Sequence, residues 1–277
     1  MPTVVSADGT RIDVATLGSG PGVVILHGAG ITVGQYKHLA ARLSREFSVH
    51  AYNRRGRPGT AALTGAETAA TDIEDLSAVL AATGSTRVFG HSGGGFVALQ
   101  AGLHLPVTHV GVYDPAVAVA GCDFPRDFLP TFEAALASGD EVRAMTVMGA
   151  DINREQTARL PESVQVAMVR AYLRTPIGRG MAELLPTVAP ELHRILDAEG
   201  PAWDYAGITA NVLLARGAKS ASYFGPICDE LAAAIPHSEQ VVIPKAHHNT
   251  ANIAPEHFVK VFAHFFASPV TDATIGP

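Results

Sequence analysis

Cysteine is scarce in this chain: Cys122 and Cys228 are the only two among 277 residues. Two are too few for a disulfide framework, and neither stands at metal-ligand spacing from a partner, so both read as small packing residues. Basic runs are missing as well. A formal net charge of −6 without such a run excludes nucleic acid and anionic membrane surfaces as partners. No uninterrupted apolar stretch approaches the roughly 20 residues needed to span a bilayer. Met1 to Asp8 have neither the basic start nor the apolar core of a secretory signal, so a cytoplasmic protein is expected. The partner expected is a small-molecule substrate, with no nucleic acid, no membrane and a homodimer as the one assembly in view.

What is present is apolar and periodic. Hydrophobic residues make up 47% of the chain, enough for one sizeable core with an inserted subdomain. Residues 1 to 113 alternate short apolar strands with helical segments at 35–46 and 67–83, the pattern of a mostly parallel sheet. From about Pro125 to about Gly207 the strands stop. Helical patterns run from Arg126 to Ser138, Glu162 to Arg174 and Pro190 to Glu199, punctuated by Pro161, Pro176, Pro186 and Pro201. Alternation resumes with 211–216, 227–235, 239–243 and 255–267, and the tail from Ser268 to Pro277 is expected to be loosely held. The expected division is a core of 1–124 with 208–277 and a helical cap of 125–207.

The most informative segment is Gly90-His91-Ser92-Gly93-Gly94, which fits G-x-S-x-G between a buried strand ending near Phe89 and a helix beginning near Phe96. A turn that tight forces strained backbone angles on Ser92, and a glycine two residues to either side avoids Cβ clashes. Ser92 is therefore the candidate nucleophile. A second apolar strand, Val23-Val24-Ile25-Leu26, runs directly into His27-Gly28-Ala29-Gly30. A Gly-rich loop there can aim backbone N–H groups at the oxyanion of a tetrahedral intermediate, with Ala29 and Gly93 as candidate donors. His27 itself reads as a buried hydrogen-bonding residue.

The third piece lies near the C-terminus, where His247 and His248 stand between the strand Gln240–Pro244 and a last helix opened by Pro255-Glu256. With this loop the whole chain, from about residue 3 to 266, resembles the α/β-hydrolase superfamily. In many relatives a Pro-Glu pair opening the final helix follows the catalytic histidine by seven residues, and counting back from Pro255 gives His248, with His247 as the neighbouring alternative. Asp8-Gly9-Thr10 and Tyr52-Asn53-Arg54-Arg55-Gly56-Arg57 are further landmarks. The resemblance implies an α/β fold with an eight-stranded, mostly parallel, doubly wound sheet and the helical cap inserted between strands 6 and 7. The chain departs from the family's Asp-x-Arg-Gly-x-Gly-x-Ser by carrying Asn53 for the aspartate and Pro58-Gly59-Thr60 for the ending.

A larger departure concerns the acid that orients the histidine. Relatives often close strand 7 with Gly-x-x-Asp, but here Gly217-Ala218-Lys219-Ser220 puts a serine in that place. Ser220 is expected to contribute almost nothing. The resemblance offers a second position at the end of strand 6, where Asp114 follows His109-Val110-Gly111-Val112-Tyr113. The acid is expected to be Asp114, with Asp229 or a dyad lacking any acid as the other arrangements.

The implied activity is that of a serine hydrolase acting on a small to medium, mainly apolar ester, lactone or thioester through an acyl-enzyme, with Ser92, His248 and Asp114 as catalytic residues and no metal or organic cofactor. The alternatives are a non-hydrolytic enzyme on the same fold, such as a lyase, a perhydrolase or a carbon-carbon bond hydrolase, and a catalytically silent ligand-binding member. The cap's large apolar residues Phe124, Phe128, Phe132, Met145, Met148, Met168, Tyr172, Met181 and Trp203 are candidates for lining an apolar pocket. Its arginines read mostly as solvated helix faces.

Overall fold

Runs of β-branched and aromatic residues favour strands, and in this chain they assemble into one sheet. The computed structural model describes residues 3–270. Its strands are β1 (Thr3–Val5), β2 (Arg11–Leu17), β3 (Gly22–Leu26), β4 (Ser48–Tyr52), β5 (Arg87–His91), β6 (His109–Tyr113), β7 (Asn211–Gly217) and β8 (Ser238–Ile243). They lie in the order β1-β2-β4-β3-β5-β6-β7-β8. β2 pairs antiparallel with β1 and β4, and every pairing from β4 to β8 is parallel. This is the eight-stranded, mostly parallel sheet the sequence predicts.

Successive side chains of a strand point to opposite faces, so a strand covered on both sides must be apolar throughout. Val24 and Leu26 of β3, Val88 of β5, Val110 and Val112 of β6, and Val212 and Leu214 of β7 enter one hydrophobic layer. Their alternates Val23, Ile25, Phe89, Tyr113, Leu213 and Ala215 enter the other. The first layer is closed by α2 (Ala69–Thr83), α3 (Gly93–His104) and α10 (Phe224–Ala234), and the second by α1 (Lys37–Leu43) and α12 (Glu256–Ala267). At Gly111 the sheet admits no side chain, because an added Cβ would lie 3.0 Å from the Phe266 ring. The absence of a side chain there lets α12 seat Phe262 and Phe266 directly on β6.

Between β6 and β7 the chain forms α4 (Leu129–Ala137), α5 (Glu141–Ile152), α6 (Arg154–Thr157), α7 (Glu162–Leu173), α8 (Pro176–Ala182) and α9 (Val188–Asp197). Phe128, Phe132, Ala144, Met145, Met148 and Leu185 build a small core of their own there. α9 also joins the main layer through Ile195. The sequence reading passes over α5, although Asp140 caps it by accepting from the Arg143 N–H at 2.9 Å. α11 (Thr250–Ile253) follows the histidine loop.

The tail is tied down farther than expected. Ser268 Oγ donates to the Phe265 carbonyl at 2.7 Å, and Asn211 Nδ2 donates to the Pro269 carbonyl at 3.0 Å. The rest of the predicted loose tail, 271–277, lies outside the described residues. Among the described residues, no helix is long and apolar enough to cross a membrane.

Candidate active site

The carboxyl ends of the parallel strands carry the site, as is general for open α/β sheets. β5 runs into α3 through Ser92, whose φ of 53° and ψ of −122° are a conformation few non-glycine residues adopt. The turn is held by the Ser92 N–H donating to the Tyr113 carbonyl at 3.1 Å. It is closed so tightly that a methyl at Gly90 would meet the Gly94 carbonyl and one at Gly94 would meet the Leu26 carbonyl. Both glycines are therefore steric requirements of the turn.

The Ala29 and Gly93 backbones meet beside Ser92. A Cβ built on Gly93 would lie 3.4 Å from the Ala29 nitrogen. Among the described residues neither N–H has an acceptor. Gly93 opens α3, so its N–H also sits at the positive end of the helix dipole. Both residues line the same cavity as Ser92.

Asp114 follows β6 with a φ of 43° and is fully buried. Its Oδ2 accepts from His248 Nδ1 at 3.0 Å and from Ser220 Oγ at 2.5 Å, and its Oδ1 accepts from the Gly217 N–H at 3.0 Å. A carboxylate can only accept here, so Nδ1 carries the imidazole proton and Nε2 is left as the free base. His248 stacks on Phe224 with centroids 5.2 Å apart and planes 13° apart. The neighbouring His247 is exposed; its N–H donates to Thr250 Oγ1 at 2.8 Å and its carbonyl accepts from Tyr113 Oη at 2.8 Å. Asp229 is exposed on α10. Ser220, just beyond β7, donates its hydroxyl to the Asp114 carboxylate, a contact the sequence reading does not foresee.

Ser92, His248, Ala29 and Gly93 line one small cavity of about 70 Å³. Of the nine cap aromatics and methionines proposed as lining, Phe124 and Phe128 reach it. Phe132, Met145 and Met148 pack within the cap, while Met168, Tyr172 and Trp203 are exposed. The rest of the wall is apolar side chains of Ile152, Val188, Leu192 and Ile195 with Tyr223 and Phe224. No Asp, Glu, Lys or Arg lines it.

Two buried networks beneath the cavity escape sequence reasoning. In one, the Gly28 N–H donates to Tyr36 Oη at 3.2 Å, and Tyr36 Oη lies 2.6 Å from His91 Nδ1. The His91 ring sits 4.6 Å from the His248 ring, and burial holds it well below the usual imidazole pKa, so it is neutral. In the other, Arg54 donates to Asp72 at 3.0 Å and to Glu191 of α9 at 2.8 Å. Arg57 pairs with the same Glu191 and donates to the Ile31 carbonyl at 3.1 Å, and Arg194 lies 3.3 Å from Asp72. All five charged groups are buried. Burial alone would raise the Asp72 carboxyl, but Arg54 and Arg194 outweigh it and hold it below its ordinary value. His27, also buried and held neutral, accepts the Arg54 N–H at 3.0 Å and donates Nδ1–H to the Gly28 carbonyl. α9 is thus bound by ion pairs to Arg54 and Arg57 in the segment after β4, and Arg57 in turn donates hydrogen bonds to the Ile31 and Gly28 carbonyls of the loop that carries Ala29. Among the described residues no group of three or more His, Cys, Asp or Glu could hold a metal ion.

Residues 23–261 match the alpha/beta hydrolase family. A pimeloyl-[acyl-carrier protein] methyl ester esterase of Nitrosomonas europaea is 26% identical over 259 residues, covering 91% of this chain and 98% of that protein. An alpha/beta hydrolase from Sphaerobacter thermophilus superposes with a TM-score of 0.79 at 31% identity, over 96% of this chain and all of that one. An enol-lactonase from Burkholderia xenovorans shares the fold at a TM-score of 0.68 and 20% identity, over 96% of this chain and 100% of its own.

Proposed function

The chain belongs to the alpha/beta hydrolase family, and on that premise we propose that it is a serine hydrolase cleaving a small to medium, mainly apolar ester, lactone or thioester. The observation that carries this reading is the His248 Nδ1 bond to the buried Asp114 carboxylate at 3.0 Å, which leaves Nε2 free as a base in a ring that lines the same cavity as Ser92.

His248 Nε2 takes the Ser92 hydroxyl proton as Oγ attacks the substrate carbonyl, and Asp114 stabilises the resulting imidazolium and fixes its tautomer. The tetrahedral oxyanion is held by the Ala29 and Gly93 N–H groups, which need no rearrangement to receive it. His248 returns the proton to the leaving alcohol or thiol, leaving an acyl group on Ser92. Water then attacks with its proton passing through His248, and the acid and free Ser92 are released. The similarity to an esterase over 91% of this chain agrees with ester chemistry.

The test is covalent labelling with a fluorophosphonate, located by peptide mass spectrometry. The reading expects a single adduct on Ser92. Absence of any adduct would instead favour a silent ligand-binding member.

A further inference from the structure

The cavity beside Ser92 is small and uncharged, and these two properties together restrict the acyl group. Its volume is about 70 Å³, about half that of an apolar cavity known to hold benzene, on the order of 150 Å³. Room for half a benzene is room for about three carbons. Its lining includes Phe124, Phe128, Val188 and Ile195, which are 3% to 5% exposed, and Phe224, which is 2% exposed. His248, whose side chain is 20% exposed, also lines it.

The group that His248 protonates leaves on the His248 side. The acyl chain then takes the part of the cavity away from that ring. No charged residue lines the cavity, and a carboxylate in such a place would be buried without a partner, which costs several kcal/mol.

We infer that this cavity is an acyl pocket for uncharged chains of about two to four carbons, and that Leu192 and Ile195 of α9 set its length limit. This rests on the serine-hydrolase reading above and sharpens its substrate class. It also separates this chain from the pimeloyl esterase it is similar to, since a seven-carbon acyl chain exceeds the length this cavity holds.

The test is the kcat/KM series for p-nitrophenyl acetate, butyrate and octanoate, with methyl butyrate and monomethyl succinate compared by pH-stat. Acetate and butyrate should exceed octanoate by at least about tenfold, since each methylene beyond the wall meets packed side chains. Methyl butyrate should exceed monomethyl succinate by a similar factor. Leu192→Ala and Ile195→Ala, each checked by its melting temperature, should raise octanoate relative to butyrate by about tenfold in whichever variant folds. An octanoate rate equal to or above the butyrate rate in the native protein would overturn the inference while leaving the hydrolase reading intact. Equal rates on the two methyl esters would overturn its uncharged character. No hydrolysis of any ester, with no fluorophosphonate adduct at Ser92, would overturn the reading beneath it.

Discussion

The Ser220 hydroxyl donates to the Asp114 carboxylate at 2.5 Å, to the same oxygen that accepts from His248 Nδ1 at 3.0 Å. β6 and β7 are paired, with Tyr113 opposite Ala215, and their ends therefore face the same histidine loop. Asp114 at the β6 end reaches His248, and a carboxylate placed at Ser220 is expected to reach it too.

Asp114→Asn should favour the wrong imidazole tautomer and lower kcat on a short p-nitrophenyl ester by as much as roughly 10⁴. Ser220→Ala removes one hydrogen bond to a buried charge, an effect of about 1.5–3 kcal/mol, and should lower kcat by roughly tenfold. Adding Ser220→Asp to Asp114→Asn should recover part of the loss. Full kcat in Asp114→Asn would remove the acid from this account.

The ion cluster under α9 predicts a contrast between two glutamates. Glu191, nearly fully buried, holds both Arg54 and Arg57, and breaking a buried pair on one side costs about 3–5 kcal/mol. Glu191→Gln should lower the melting temperature by roughly 10 °C and reduce kcat, because Arg57 also fixes the Ile31 carbonyl beside the Ala29 loop. Glu199 pairs with Arg126 at the surface, with side chains about a third exposed, where such pairs contribute about 0–1 kcal/mol. Equal effects of Glu191→Gln and Glu199→Gln in thermal melts would contradict the clamp.

Acid should destabilise the fold through its buried histidines. Burial, helped by Arg57 and Arg54 at His27 and by His248 at His91, depresses both pKa values well below the ordinary one. Unfolded, each takes a proton below about pH 6.5; folded, each refuses it. The unfolded state therefore binds more protons there, and stability falls with pH by about 1.4 kcal/mol per unit for each histidine. Urea unfolding at pH 7.5 and 5.5 should differ by up to about 2.7 kcal/mol from this pair, of which only about 0.7 kcal/mol falls between pH 7.5 and 6.5. A flat profile down to pH 5.5 would mean that one or both are protonated in the fold.

Much of the fold is legible in the sequence because its determinants are local. The apolar runs of β3 and β6 must be covered on both faces, and Gly90 and Gly94 flank a turn that has no room for side chains. α5 is passed over because its apolar positions merge with those of its neighbours. The parts of the site that are not legible depend on contacts distant in sequence. Ser220 looks like a lost acid because nothing near it reveals a partner 106 residues away. Arg54 is legible only as a landmark of the loop after β4, because its partner Glu191 lies 137 residues on. Tyr36 and His91 stand 55 residues apart, with no local signal of their contact.

The central claim is that Ser92 is the nucleophile, and the rate of p-nitrophenyl butyrate hydrolysis by Ser92→Ala tests it most directly. Removal of Oγ leaves the Ala29 and Gly93 donors in place, so the account predicts loss of nearly all activity, with a residual rate of roughly 10³ to 10⁴ over water at most and an unchanged melting temperature. Hydrolysis by Ser92→Ala at the native rate would contradict it.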